Sequence, residues 1–129
     1  MDAPVYRLYS ILAADAVKAM NGVRGSMVTQ GGHGFVHALW DAMDRFPDDV
    51  RSYRAGTAFK TTLVAPDEAY LRMLRERYQP ICGVSLVEES GSRADGSTTK
   101  GVKGVTCLGI GPIRLDLAGD DLRSLKAFC

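Results

Sequence analysis

Residues 6–14, Tyr-Arg-Leu-Tyr-Ser-Ile-Leu-Ala-Ala, are apolar at almost every position between Pro4 and Asp15. A strand with one wet face alternates apolar and polar, because successive side chains point to opposite faces. A run that is apolar nearly throughout reads instead as a central strand, covered on both faces by other layers. The same run is too short to cross a bilayer, which takes about 20 apolar residues as a helix. It does not read as a secretory leader either. Only Arg7 precedes its apolar part, offset by Asp2, and Tyr9 and Ser10 interrupt it.

The rest of the chain supplies the layers. Residues 15–25 read as a loop carrying Lys18, the turn pair Asn21-Gly22, and Arg24. Met27, Val28, Phe35, Val36, Leu39, Trp40, Met43 and Phe46 keep a 3.6-residue period, which predicts a helix over 26–46. Ser26 is its natural N-cap, and Trp40 and Phe35 are assigned to the core. Pro47 closes that helix, and a polar connection runs on to Gly56. Gly31 and Gly32 lie inside it at a cost of about 1 kcal/mol each relative to Ala. Such a cost suggests a place where another backbone or a ligand comes close.

Residues 58–64 alternate as a second strand, and Pro66-Asp67-Glu68 opens a second helix that ends before Pro80. Residues 81–87 and 105–110 are a third and a fourth strand, separated by a long Gly-, Ser- and Thr-rich loop. Residues 119–128 read as a short helix, with Asp120-Asp121 at its start and Lys126 near its end. Strands alternating with helices predict an α/β fold. The expected form is a three-layer sandwich, a four-stranded, mostly parallel mixed sheet flanked by helices, as one domain over 1–129.

Composition narrows the function classes. A hydrophobic content of 46% with 24% charged residues is that of an ordinary globular protein. The net charge of +1 gives no global attraction to nucleic acid, so RNA binding would need a local basic patch. Cys82, Cys107 and Cys129 make an odd count, most simply reduced thiols in a cytoplasm. Cys82 and Cys107 sit in apolar runs and are assigned to packing.

Two segments carry the chemistry. Arg24-Gly25-Ser26-Met27-Val28-Thr29-Gln30-Gly31-Gly32-His33 opens the first helix, and Val105-Thr106-Cys107-Leu108-Gly109-Ile110-Gly111-Pro112 is a strand running into a glycine-proline stop. In this order and length they resemble the type II peptidyl-tRNA hydrolases, whose motifs read Gly-Lys-x-Ala-Ala-Gln-x-x-His-Ala and Leu-Gly-Ile-Gly-Pro. The succession of elements matches over nearly the whole chain. The resemblance implies cofactor-free hydrolysis of the ester between a peptide and the 3′ end of tRNA. It also implies tRNA as partner, a cytoplasmic location and a homodimer.

Carried over residue by residue, Gln30 and His33 match the family's glutamine and histidine, while Ser26 stands in place of its lysine. The family's Asp-Ala-Gly after the third strand appears as Glu89-Ser90-Gly91, so Glu89 keeps the carboxylate with one more methylene. The threonine that follows in the family finds no clear counterpart in a loop about five residues longer. Ser92, Ser97, Thr98 and Thr99 are its candidate stand-ins. Glu89 is thus the expected general base, and Gln30 with the helix N-terminal amides the expected oxyanion donors. His33 is expected to order the helix start. Arg24, Lys18, Arg93, Lys100 and Lys103 form the expected phosphate-binding cluster around that helix N-terminus.

Other readings of the same residues stay open. His33, His37 and Asp41 fall at i, i+4 and i+8, but two histidines at that spacing do not make a zinc motif, and no metal is assigned. No Ser/His/Asp triad can be assembled. The loss of the lysine and the remodelled loop also allow a non-catalytic member of the same fold that binds RNA, a nucleotide or a protein.

Overall fold

The computed structural model describes residues 3–20, 24–89 and 104–128. The apolar run forms β1 (Tyr6–Ala13), the middle strand of a sheet ordered β3-β4-β1-β2-β5. Its neighbours in that order are β2 (Phe59–Ala65), β3 (Val84–Glu89), β4 (Gly104–Arg114) and the two-residue β5 (Lys126–Ala127). Both faces are covered, as the run requires. Tyr9, Ile11 and Ala13 pack with Leu71, Leu74 and Tyr78 of α4 (Glu68–Tyr78), while Leu8 packs with Ala38 and Tyr53 on the opposite side. Ala38 lies on α2 (Arg24–Arg45) and Tyr53 on α3 (Pro47–Ala55).

The sheet departs from the sequence expectation in number and in direction. It has five strands, and only β1 with β2 is a parallel pair. The pairs β1/β4, β3/β4 and β2/β5 are antiparallel. A parallel return needs a crossover, usually helical, whereas an antiparallel one does not. β4 returns antiparallel and inserts between β3 and β1. The fifth strand arises in the tail, where the acidic start forms only the short α5 (Asp120–Arg123). The chain then turns onto the edge of β2, with Leu63 opposite Ala127 and the Phe128 N–H donating to the Thr62 carbonyl at 2.9 Å.

Three boundaries also shift. The stretch read as a loop holds α1 (Ala14–Ala19), and α2 begins at Arg24, so Ser26 is its third residue and not its N-cap. Pro47 opens α3 instead of ending the order, with Asp48 and Asp49 in its first turn, where acids complement the helix dipole. β4 does not stop at Gly111-Pro112. It bulges against β1 between the pairs Tyr9↔Ile110 and Arg7↔Ile113, a position where a proline without an N–H can be held in a strand.

The face that α2 buries differs as well. Trp40, Met43, Val36 and Val28 are exposed, Trp40 at 59%. Gly31, Gly34, Ala38 and Ala42 are buried in their place. α2 lies so near β4 that nothing larger fits. A Cβ on Gly109 would sit 1.9 Å from the Gly34 carbonyl oxygen, and one on Gly34 would sit 2.3 Å from Ser10 Oγ. The close approach anticipated at Gly31 and Gly32 is therefore at Gly34; around Gly32 no described atom lies within 4 Å of where a Cβ would stand.

Candidate active site

Because β1, β2 and β3 run in one direction and β4 in the other, the ends Ala13, Ala65, Glu89 and Gly104 share one edge of the sheet. α2, pressed onto β4 by its small residues, brings Gln30 to that edge. Gln30 is buried at 6% exposure, so its amide must be satisfied by protein groups. Glu89 is the last residue of β3, half-buried, and its Oε2 accepts from Gln30 Nε2 at 3.2 Å. On the other side of the amide, Thr106 Oγ1 donates to Gln30 Oε1 at 2.7 Å. A carboxylate can only accept, so the amide must turn its NH2 toward Glu89 and its oxygen toward the hydroxyl. The result is a directed line from Thr106 through Gln30 to Glu89.

Thr106 itself is fully buried, and a break in the β3/β4 ladder explains how it reaches α2. Val87 pairs with Cys107 and Glu88 with Val105, which leaves Thr106 as the extra residue of a bulge. In a regular strand Thr106 and Cys107 would face opposite ways. Here both reach Gln30, since Cys107 Sγ donates to the Gln30 carbonyl at 3.0 Å. Burial pushes the Cys107 thiol up to about 11, so at neutral pH it stays protonated and acts as a packing donor. Cys82 is likewise buried and free, its thiol pushed up to about 12 by burial.

Of the residues singled out in the sequence, the structure unites Gln30 and Glu89. Ser26 is half-buried in the first turn of α2, and Arg24 and Lys18 are exposed on α2 and α1. His33 lies roughly 2.5 turns into α2, too far to order its start. Its ring centroid is 5.7 Å from that of His37, which stacks on Trp40 at 5.2 Å. Arg93, Lys100 and Lys103, with Ser92, Ser97, Thr98 and Thr99, lie outside the described residues.

The stripe His33, His37, Asp41 is not a ligand set. Asp41 pairs with Arg45 at 2.6 Å and accepts from the Val84 N–H at 2.9 Å. The Arg45 bond holds its carboxyl below the usual range, against the opposing effect of burial. Among the described residues no group of three or more His, Cys, Asp or Glu is placed to hold a metal. None of their helices is long and apolar enough to cross a membrane.

Thr106 is the site residue that sequence reasoning overlooked. It lies inside the second motif, one residue before Cys107, in a strand and not in the loop where the family's threonine is expected. A lone threonine flanked by Val105 and Cys107 in an apolar strand was the available signal.

The fold is thus an α/β sandwich that holds a carboxylate at a strand end through a buried amide. A model of the peptidyl-tRNA hydrolase PTH2 family matches residues 15–128, and the chain belongs to that family. No match was found among curated proteins.

Proposed function

We propose that this protein hydrolyses the ester joining a peptide, or a blocked amino acid, to the 3′ end of tRNA. Family membership supports the reaction class. The observation that carries the assignment to residues is the line Thr106–Gln30–Glu89 at the carboxyl edge of the sheet, where α/β folds bind ligands.

In this reading Glu89 takes a proton from a water as its oxygen attacks the ester carbonyl. The tetrahedral intermediate then collapses: its bond to the ribose oxygen breaks, that oxygen takes the proton Glu89 accepted, and the acyl group departs as a carboxylic acid, with Glu89 again a carboxylate. In this reading Gln30 is a positioning residue: buried and bonded on both sides, it fixes the Glu89 carboxylate. That moves it from the oxyanion role its sequence position suggested. The oxyanion falls instead to the N-terminal amides of the 22-residue α2, a helix with no acidic residue in its first turn. Lys18 and Arg24, together with Arg93, Lys100 and Lys103, supply phosphate contacts, so affinity for tRNA should fall steeply with salt.

A binding-only member of the family is the second reading, and Ser26 favours it, because an uncharged residue stands where the resemblance puts a lysine. Incubation with an N-acetylated aminoacyl-tRNA separates the two. Release of free tRNA by the wild type supports the enzyme. Release only after Ser26→Lys, with wild-type protein retaining tRNA intact, supports the binding protein.

A further inference from the structure

A cavity lies away from this line, on the face of the sheet that carries α4. It encloses about 330 Å³ and is lined by Arg7, Tyr9, Thr61, Leu63, Leu122 and Arg123 among others. Its position follows from the register. Arg7 and Tyr9 of β1 stand opposite Phe59 and Thr61 of β2, and odd-numbered β1 residues face away from α2. Arg7 lies at the start of β1, whereas Glu89 ends the parallel-running β3, so the two sites occupy opposite edges as well as opposite faces.

The chemistry of the lining is uneven. The Arg7 guanidinium sits over the Phe59 ring, 5.5 Å from its centroid, which fixes the cation at the cavity wall. Its Nε is buried and has no hydrogen-bond partner. A desolvated cationic donor without an acceptor is unfavourable and rare in native proteins. Arg123 adds a second guanidinium; it pairs at 3.3 Å with Asp120, whose side chain is 97% exposed, so that pair is weak and easily exchanged. Thr61 brings a hydroxyl, and Leu63, Leu122 and Tyr9 bring apolar surface. Among the described residues that line it there is no carboxylate.

We infer that this cavity is a binding site for a small organic anion: an oxyanion head held by Arg7 and Arg123, carried on a short apolar body against the leucines. The head can be a carboxylate or a phosphate, since both accept from guanidinium groups in the same way. The apolar body distinguishes such a ligand from a free inorganic anion. This site is independent of the hydrolase reading, and either can fail without the other.

The test is a titration of the full chain with hexanoate, hexanol and inorganic phosphate, followed by ¹H–¹⁵N spectra that include the arginine Nε–H signals. Saturable displacement of the Arg7 Nε–H and the Thr61 amide by hexanoate is expected, much weaker with hexanol and with phosphate. Arg123→Ala, a change at a mostly exposed side chain, should leave the rest of the spectrum in place and weaken hexanoate about tenfold or more, the usual worth of a charge-assisted hydrogen bond. Phosphate binding as tightly as hexanoate would overturn the amphiphilic ligand. An Arg7 signal unmoved by hexanoate, or moved equally by hexanol, would overturn the site.

Discussion

Gln30 has one side-chain amide and two partners of different kind, and that fixes which way it faces. Replacing Thr106 by Val keeps the shape but leaves Gln30 Oε1 buried without its donor. The expected cost is about 1–3 kcal/mol of stability, with kcat lowered because the amide is then free to turn from Glu89. Thr106→Ser restores the hydroxyl and should recover most of both. Urea midpoints and kcat, measured on the three proteins, check this; equal kcat for Val and Thr would remove Thr106 from the site. Gln30 and Glu89 were legible in the sequence because both fall on positions of the family resemblance, one in the first motif and one after the third strand. Thr106 was not, because only a β-bulge turns it toward α2. A bulge is a property of two paired strands and leaves no local mark in either one.

At the scale of elements, the contact between α2 and β4 decides where the site residues meet. It is made by glycine and alanine, and two substitutions test it from opposite sides. Gly109→Ala would drive a Cβ into the Gly34 carbonyl, a backbone atom that cannot rotate away, so it should cost more than about 3 kcal/mol or prevent folding. Gly32→Ala meets no described atom and should stabilise by about 0.4–1 kcal/mol, because the unfolded chain loses freedom. Thermal unfolding of both variants provides the measurement, and a strongly destabilised Gly32→Ala would contradict the packing described. The helical period of residues 26–46 was readable, yet its buried face was not. Side-chain size alone points to Trp40 and Phe35 as core, whereas the short distance to the sheet selects small residues and leaves Trp40 outside. The existence of β1, β2, β3 and β4 was readable for the same reason as the period, since it is local; β5 was not, because it forms only where the tail meets the edge of β2. Strand direction depends on how the chain returns, and the β3–β4 return has no pattern of its own.

For the molecule as a whole, the buried acids that ionise at high pH set its alkaline limit. Burial raises Cys82 from 9.0 to about 12 and Cys107 from 9.0 to about 11. Tyr78, which donates to Asp121 at 2.7 Å, rises from 10.0 to about 12, by burial first and this bond second. These groups keep their protons in the native state where the unfolded chain would release them. Their contribution is therefore intact below about pH 9 and is lost as pH rises through 9–12. The urea midpoint should hold steady to about pH 8 and fall by pH 10.5, and should fall less in a Cys82→Ala, Cys107→Ala variant. An unchanged midpoint at pH 10.5 would show that these groups are not protected as described.

A Glu89 carboxylate that is held by Gln30 and takes the proton from water would be needed for the chemical step and not for holding tRNA. Single-turnover cleavage of an N-acetylated aminoacyl-tRNA by wild type and by Glu89→Gln, alongside tRNA retention by both, tests it most directly. A rate lower by about 10²–10⁴-fold is expected in the variant, the usual contribution of a general base, with tRNA held as tightly as before. Equal rates in the two proteins would contradict it.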